Sequence, residues 1–144
     1  MTGTVADTYL AALQHGHRER VDDERLVGVV RRPMYGFADA VDENRAALGP
    51  PEDLLDDAKG AEERLAAEGA SDAAANRRAW EEVEFAGRYR DYLRSSEDAR
   101  RALAELVGVL RDGTDVALVC YENTEEKRCH RTIVRAALEE RLDG

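Results

Sequence analysis

Apolar positions follow one another almost without a break in two short stretches of the chain. The first is Leu26-Val27-Gly28-Val29-Val30 and the second is Val116-Ala117-Leu118-Val119-Cys120-Tyr121. Runs of this length, rich in β-branched residues and bounded by polar ones, are typical of strands buried on both faces. Residues 4–13 fit either a helix or a short strand. The pattern therefore predicts two or three buried strands.

Apolar residues recur at helical spacing between and after these strands. One helix is expected to begin at Pro51 and to stop near Gly69. A second helical stretch covers residues 76–94. Ser96 is a favoured helix cap and Gly113 a favoured terminator, so these two residues bound a third helix. The last helix carries its apolar residues at Ile133, Val134, Ala137, Leu138 and Leu142.

Strands that alternate with helices predict an α/β fold. We expect one small domain over residues 1–144, with a largely parallel central sheet flanked by helices. A further short helical patch is expected after Phe37, through Leu48. In open α/β sheets, ligands bind beyond the carboxyl ends of the strands. If the two clear strands are parallel, both of their carboxyl ends open on the same edge of the sheet.

The charge balance is strongly acidic. Asp and Glu total 31 against 21 Lys and Arg, which gives a formal net charge of -10, and every basic residue except Lys59 and Lys127 is arginine. A surface rich in carboxylates and poor in lysine predicts a halophilic protein, because concentrated salt screens the repulsion between acidic groups. A codon bias toward arginine and alanine in an ordinary acidic protein is the alternative.

The same composition bears on partners and compartment. Net negative charge argues against nucleic acid or an anionic membrane as a partner, although an acidic shell can surround a small basic groove. No apolar stretch approaches the ~20 residues needed to span a bilayer, and no segment has the pattern of a signal peptide. Two cysteines without a secretory signal predict reduced thiols and a cytoplasmic location. The oligomeric state has no signature in the sequence.

Both cysteines of the chain lie close together, with a histidine beside one of them. Cys120-Tyr121-Glu122 ends the second strand, and Cys129-His130-Arg131 stands at the start of the last helix. Helix N-termini and neighbouring cations lower the pKa of a thiol and make it reactive. Cys129 is therefore a candidate nucleophile, with a buried packing residue as the alternative. For Cys120, inside an apolar run, a core position is favoured.

Charged residues near the thiols are candidates for supporting roles. Glu122 can act as an acid, a base or an orienting group for His130, or it is a solvated loop residue. Arg131, Arg31 and Arg32 are candidates to hold an anion, because guanidinium groups bind phosphate and carboxylate in a bidentate manner. Salt bridging within an acidic protein is the alternative for these arginines. Two residues at the strand end complete the candidate binding set, Cys120 and Tyr121.

Metal and phosphatase chemistry fit the spacing poorly. Cys-x8-Cys-His is not a familiar zinc spacing, so neither a metal nor another cofactor is predicted. A phosphate loop of the Cys-x5-Arg type would need arginine at position 126, where Glu126 stands. Trp80, Tyr89 and Tyr92 have helical spacing, which favours a core or groove wall over a platform for stacking bases.

At the cysteine motifs the chain resembles the DUF488 family of uncharacterised proteins. In that family an apolar strand ends in a Cys-x-Glu-like sequence, and a Cys-His-Arg triplet follows shortly after. These correspond to Cys120-Tyr121-Glu122 and Cys129-His130-Arg131 in this sequence. A second match is Val29-Val30-Arg31-Arg32-Pro33, which is similar to the basic pair or Arg-Pro turn that ends an early strand of the family.

A third match lies in the middle of the chain. Ala79-Trp80-Glu81-Glu82-Val83, followed by Arg88-Tyr89-Arg90, is similar to the Trp-x-x-Phe and Arg-Tyr helix of one branch of the family, with Val83 in place of the aromatic residue. The Gly-His-Ser type of segment usual near the first strand is missing here. The likeness covers about residues 4–142. It implies a single α/β domain with a cleft lined by the Cys-His-Arg helix start, and it brings no known reaction.

Two classes of function fit these observations. In the first, the protein is an enzyme acting on a small anionic substrate, with Cys129 as thiolate, His130 and Glu122 as supporting catalytic groups, and the arginines binding the anion. In the second, the same pocket holds a ligand or a nucleic-acid phosphate without covalent chemistry. A third interpretation is that the cluster only fixes the start of the helix. We favour the enzyme.

Overall fold

A parallel sheet forms the centre of the molecule. The computed structural model describes residues 2–16, 23–33, 36–121 and 128–143. In this part of the chain the strands are β1 (Val5–Tyr9), β2 (Glu24–Gly28), β3 (Glu43–Asn44) and β4 (Asp115–Cys120). Their order is β1-β4-β2-β3, and every pair is parallel. The predicted α/β fold with a largely parallel sheet is confirmed.

Strand β4 lies between β1 and β2, so its carboxyl end is flanked on both sides. Leu118 is in register with Asp7 of β1 and with Val27 of β2. Beyond β2 the pairing continues, since the backbone N–H of Val29 donates to the carbonyl of Val119 at 3.1 Å. The residues that follow β2 and β4 therefore emerge on the same edge of the sheet.

Helices cover the sheet and make up most of the described chain. They are α1 (Leu10–Gln14), α2 (Phe37–Ala40), α3 (Glu52–Ala67), α4 (Asp72–Glu82), α5 (Phe85–Ser95), α6 (Glu97–Arg111) and α7 (Arg131–Asp143). The predicted cap of α6 is present, because the Ser96 hydroxyl accepts the N–H of Ala99 at 3.3 Å. Gly113, with a φ of 97°, follows the end of this helix as predicted.

The structure differs from the sequence prediction in three places. Residues 4–13 form a strand followed directly by a helix, β1 and then α1. The single helix expected over residues 76–94 is two helices, because Glu84 between them has a left-handed φ of 54°. The helical patch expected after Phe37, through Leu48, is present only as α2 and one 3-10 turn (Ala46–Leu48), with the strand β3 between them. A strand of two residues is too short to produce an alternating pattern, so β3 could not be predicted.

Two apolar clusters enclose the sheet, one on each face. Alternate residues of β4, Val116 and Leu118, pack with the large cluster formed by helices α3 to α7. Their neighbours Ala117 and Val119 pack with the smaller cluster, which contains Phe37. Both faces of the central strand are thus buried, as its unbroken apolar run predicted. None of the described helices combines the length and the apolar character needed to cross a membrane.

Candidate functional site

A cavity of about 270 Å³ opens at the carboxyl edge of the sheet, beyond the end of β4. Cys120, Cys129 and His130 line it on the side of the sheet, and Trp80 and Phe85 line it on the side of the helices. The two aromatic rings stack on each other with centroids 3.9 Å apart, and both side chains are buried. Trp80 therefore forms part of a cavity wall, one of the two roles expected for it.

The two cysteines meet in this cavity. The Sγ atoms of Cys120 and Cys129 lie at disulfide distance, and both residues are buried. No cysteine in the described chain is free. The structure therefore does not support the prediction of reduced cysteines. That prediction rested only on the reducing conditions expected in a cytoplasm. It could not take into account that the fold brings Cys120, at the end of β4, next to Cys129, just before α7.

His130 lies against Cys129 and is tied to the end of β2. Its Nε2 atom contacts the carbonyl oxygen of Val29 as a hydrogen-bond donor, and its Nδ1 atom lies 3.7 Å from the Cys129 Sγ. A neutral ring that donates through Nε2 carries its lone pair on Nδ1, which faces the sulfur. Burial lowers the pKa of His130 to about 4, against the hydrogen bond to Val29 and together with the charge of Arg131. The imidazole is therefore neutral at pH 7.

Arg131 is buried and connects the other cysteine to β1. Its Nη1 atom donates to the Cys120 Sγ at 2.9 Å, and its Nε atom donates to Asp7 at 3.0 Å. Arg135, one turn further along α7, donates to the second oxygen of Asp7 at 2.8 Å. Burial alone would raise the pKa of Asp7. The hydrogen bonds and charges of Arg135 and Arg131 outweigh that effect and hold the pKa of Asp7 below its ordinary value.

Asn76 on α4 fixes the backbone in front of the Cys-His-Arg triplet. This buried side chain accepts the backbone N–H of Arg128 through Oδ1 at 2.7 Å, and it donates to Glu62 at 3.3 Å. On the other side of the cysteine, the Thr132 hydroxyl donates to the carbonyl of Cys129 at 2.9 Å. The position of the thiol is thus defined from both α4 and α7.

The arginines that follow β2 point in different directions. Arg32 lines the cavity, where its half-exposed side chain pairs with Glu52 at 3.5 Å and Asp56 at 3.3 Å. Arg31 instead donates to the carbonyl of Gly49 at 3.0 Å and to the Tyr92 hydroxyl at 2.7 Å. Arg31 is not among the residues that line the cavity.

The structure brings most of the sequence-predicted residues together. Five of the predicted residues are among those that line the cavity: Arg32, Cys120, Tyr121, Cys129 and His130. Arg131 stands behind Cys120, and Glu122 lies outside the described residues. In the described ranges, no group of three or more His, Cys, Asp or Glu side chains is arranged to hold a metal ion.

Sequence reasoning missed two residues of the site, Asp7 and Asn76. Asp7 is the one charged residue within β1, and a carboxylate inside a strand is a signal that a cation lies opposite. Asn76 is the one polar residue among the buried residues of α4, which also include Ala75, Ala79 and Trp80, and this is a weaker signal. Neither signal identifies the partner, because Arg131 and Arg128 are far away in the sequence.

One protein family matches most of the chain. The family model DUF488-N3a, described as the active DUF488-N3 subclade, matches residues 9–142. Searches of curated proteins and of solved structures found no significant match. The matched residues include the whole cavity lining, from Arg32 to His130. On the strength of this match over nearly its whole length, the chain belongs to the DUF488 family.

Proposed function

We propose that the protein is an enzyme that uses a cysteine thiolate on a small anionic substrate bound in the cavity. One observation carries this proposal: two buried sulfur atoms line an open cavity, with the unprotonated Nδ1 of His130 beside one and the guanidinium of Arg131 beside the other. Cysteines in such surroundings are activated for nucleophilic attack. The description of the matching subclade as active also favours catalysis.

The sequence-predicted catalytic groups keep their proposed roles in this scheme. Cys129 is a candidate nucleophile, and in the reduced protein its thiol would donate a hydrogen bond to Nδ1 of His130, which lies 3.7 Å from the sulfur. With a pKa of about 4, the imidazole orients the thiol as a hydrogen-bond acceptor and does not hold its proton at neutral pH, so the proton of the ionising thiol leaves to solvent. Glu122 is proposed as an acid, base or orienting group.

The proposed substrate has a small apolar body and an anionic group. Trp80 and Phe85 offer an apolar wall, whereas Arg32, Lys59 and Arg128 also line the cavity and carry positive charge. The exposed ion pairs of Arg32 with Glu52 and Asp56 contribute little to stability. A substrate anion can therefore take the place of these carboxylates beside Arg32 with little loss of folding free energy. Tyr121 adds a hydroxyl on the same side. Arg31 and Arg131 of the predicted binding set act indirectly in this scheme. Arg31 holds the loop at Gly49, and Arg131 acts through Cys120.

A matched pair of alkylating probes tests this proposal. Fully reduced protein in concentrated KCl is treated at pH 7 with iodoacetate, which is anionic, or iodoacetamide, which is neutral, and modification is followed by intact mass. We expect the anionic probe to react faster, and Arg32→Gln to reduce its advantage. Arg100→Gln, an exposed arginine outside the cavity, is the control and should leave the ratio unchanged. Equal rates for the two probes would contradict an anion-selective thiol site.

A non-catalytic pocket that binds a phosphate-bearing ligand is the second candidate, and the cationic residues of the lining favour it equally. In that case both thiols should be inert toward either probe. Inorganic phosphate should then bind, and Arg32→Ala should weaken its binding more than Cys129→Ser does. A ligand held by phosphate contacts would also show a steep dependence on salt concentration.

We place this activity in a cytoplasm of high salt concentration, as the composition predicts. Reducing systems in such a compartment keep most thiols reduced, and disulfides there are transient and catalytic or redox-sensing. The proposed partner is a small anionic ligand and not a membrane, and the net negative charge makes nucleic acid the less favoured alternative. The contact between Cys120 and Cys129 then belongs to a reaction cycle rather than to the scaffold.

A further inference from the structure

We infer that the surface between α6 and α7 docks an acidic, amphipathic helix of another protein. This surface is a groove of about 660 Å³ that shares no lining residue with the cavity at the sheet edge, so its role does not rest on the proposed function. Its charge, its floor and its length along α6 carry the inference. We call it the arginine groove, and it is lined by Arg100, Arg101, Ala104, Val107, Arg111 and Arg141, with Glu97 at one end.

The arginine groove is positively charged on a chain whose net charge is -10. Four guanidinium groups line it against the single carboxylate of Glu97. Arginines elsewhere form ion pairs, such as Arg45 with Glu43 at 3.1 Å and Arg88 with Asp57 at 3.0 Å. Within the described parts of the chain, none of the four groove arginines has a carboxylate at ion-pair distance. The surface therefore has positive potential to offer a negatively charged partner.

The positive charges stand at the two ends of the groove. Arg100 and Arg101 lie near the start of α6, whereas Arg111 is its last residue. Nη2 of Arg111 donates to the carbonyl oxygen of Arg141 at 3.2 Å, so two arginines meet at that end. The two pairs are separated along α6 by about 16 Å, at the rise of 1.5 Å per helical residue. A partner that contacts both pairs must present negative groups at this separation.

Between these ends the floor of the groove is small and apolar. Ala104 and Val107 form it. Gly108, one turn after Ala104, lies on the same side of α6, and a Cβ atom added to it would meet nothing within 4 Å. Glycine inside a helix costs stability relative to alanine, but it lets another backbone approach closely. The middle of the groove is thus shaped for contact with a second chain.

An amphipathic helix matches both the charges and the floor. Two carboxylates that are eleven residues apart in a helix lie on one face, three turns from each other, and would meet both arginine pairs. Apolar side chains on the turns between them would cover Ala104 and Val107, as in other helix-in-groove complexes. The parallel course of α6 and α7 leaves space for a third helix along the same direction.

Other anionic partners fit the groove less well. The phosphates of a nucleic acid would satisfy the arginines but would leave the apolar floor without an apolar partner, and the acidic remainder of the chain would repel the polyanion. A second copy of this protein that docked through the same surface would place arginine opposite arginine. A carboxylate-bearing helix has neither disadvantage.

Fluorescence anisotropy with a labelled helical peptide tests the inference. The probe has about 18 residues, with leucines along one face and glutamate pairs eleven residues apart, and a second peptide carries lysines in place of these glutamates. At the lowest KCl concentration that keeps the protein folded, we expect the acidic peptide to bind in the micromolar range. The lysine peptide should bind at least about tenfold more weakly. Equal binding of the two peptides, or no binding of the acidic one, would overturn the inference.

Two matched double variants locate the bound peptide. Arg101→Gln with Arg141→Gln removes one cation from each end of the groove and should weaken binding at least about tenfold. Arg25→Gln with Arg78→Gln removes the same charge at exposed positions outside the groove and should change binding less than about twofold. Circular dichroism checks that all variants are folded. An equal loss in both double variants would mean that only net charge attracts the peptide, against docking in the groove.

The close approach to α6 is tested by filling the space over Gly108. Gly60, inside α3, is the matched control, because a Cβ atom added there also meets nothing within 4 Å. Both Gly108→Gln and Gly60→Gln should raise the melting temperature by about 3 °C, since glutamine favours helix more than glycine does. Only Gly108→Gln should weaken the acidic peptide. Unchanged binding in this variant would contradict a helix packed against the floor.

A labelled single-stranded oligonucleotide is the competing probe. Tighter binding of the oligonucleotide than of the acidic peptide, lost in the variant that lacks Arg101 and Arg141, would assign the groove to nucleic acid and overturn the inference. The preference of the cavity for iodoacetate over iodoacetamide should be the same in every groove variant. A failure of the docking experiments therefore leaves the proposed function in place, and a failure of the alkylation experiments leaves the docking surface in place.

Discussion

The side chain of Asn76 accepts the backbone N–H of Arg128 at 2.7 Å, although 52 residues separate the two in the sequence. Arg128 directly precedes the Cys-His-Arg triplet. This hydrogen bond therefore couples helix α4, which walls the cavity, to the backbone that carries one of the two thiols. The position of Cys129 thus depends on an amide side chain that is neither an acid, a base nor a nucleophile.

We expect Asn76→Ala to destabilise the protein by about 2 kcal/mol, because a buried amide and its partners lose their hydrogen bonds. It should also change the rate at which Cys129 is alkylated. Asn44→Ala is the matched control, since Asn44 makes two hydrogen bonds to the backbone of Val30 at 3.2 and 3.1 Å. A change in alkylation that is equal in both variants would show that Asn76 does not position the thiol.

Replacing Asp7 by Asn should cost about 3 kcal/mol of stability at pH 7, because two arginines lose their shared carboxylate. The pKa of Asp7 is lower in the folded chain than its ordinary 3.8. Its stabilisation is therefore complete above pH 3.8 and is lost as the pH falls through the folded-state pKa.

Urea unfolding of both proteins across this range measures the effect. The wild type and Asp7→Asn should converge in stability at low pH. Asp115→Asn is a control on the neighbouring strand, where the carboxylate accepts the N–H of Thr4 at 2.8 Å near the surface, and it should cost less than about 1 kcal/mol. A difference between wild type and Asp7→Asn that does not depend on pH would contradict the assigned role of the charge.

His130 should make the protein less stable as the pH falls from 6.5 toward 4. The unfolded chain binds a proton at the ordinary pKa of 6.5, whereas the folded chain does so only at about 4. The expected loss across this window is roughly 2–3 kcal/mol. His130→Gln should remove this dependence, and the exposed control His15→Gln should keep it. An imidazole NMR signal of His130 that titrates near pH 6.5 would count against the buried neutral ring.

Glu84→Gly should stabilise the protein by about 1 kcal/mol, because Glu84 is exposed and has a left-handed φ of 54° that costs a residue with a Cβ atom. The same change at Glu63, an exposed position inside α3, should destabilise by about 1 kcal/mol. Thermal unfolding of the two variants gives the comparison. A lower melting temperature for both variants would contradict the idea that the left-handed backbone of Glu84 costs stability.

The acidic composition leads to a prediction about salt. With 31 acidic against 21 basic residues, we expect a higher unfolding midpoint in molar KCl than in dilute buffer, since salt screens repulsion between carboxylates. Thermal unfolding over a series of KCl concentrations measures this. Equal stability at all of them would favour codon bias as the origin of the composition.

The sequence predicted those parts of the fold whose signals are local. The apolar runs ending at Val30 and Tyr121 revealed two strands, and Ser96 and Gly113 bounded α6, because each signal lies within a few residues of the element it defines. The two-residue strand β3 was missed for the opposite reason. Its place at the edge of the sheet is fixed by its pairing with β2, where Gly28 is in register with Asn44.

The same distinction applies to the site. Cys129, His130 and Arg131 could be recognised because they are adjacent in the sequence. The partners of Arg131 could not, since Asp7 is 124 residues away and reaches it only through the parallel pairing of β1 with β4. The different directions of the Arg31 and Arg32 side chains could not be predicted either. Arg31 donates to the carbonyl of Gly49, and this tertiary contact has no signal in the local sequence.

The pairing of Asp7 with α7 has a consequence for the order in which the chain can mature on the ribosome. Strand β1 is synthesised early, but its place beside β4 and the cations that neutralise Asp7 appear only after residue 135 has been made. Until residue 131 has been made, the carboxylate in β1 lacks both arginines and Cys120 lacks the arginine behind it. A nascent chain therefore cannot form this site before synthesis has passed the first turns of α7.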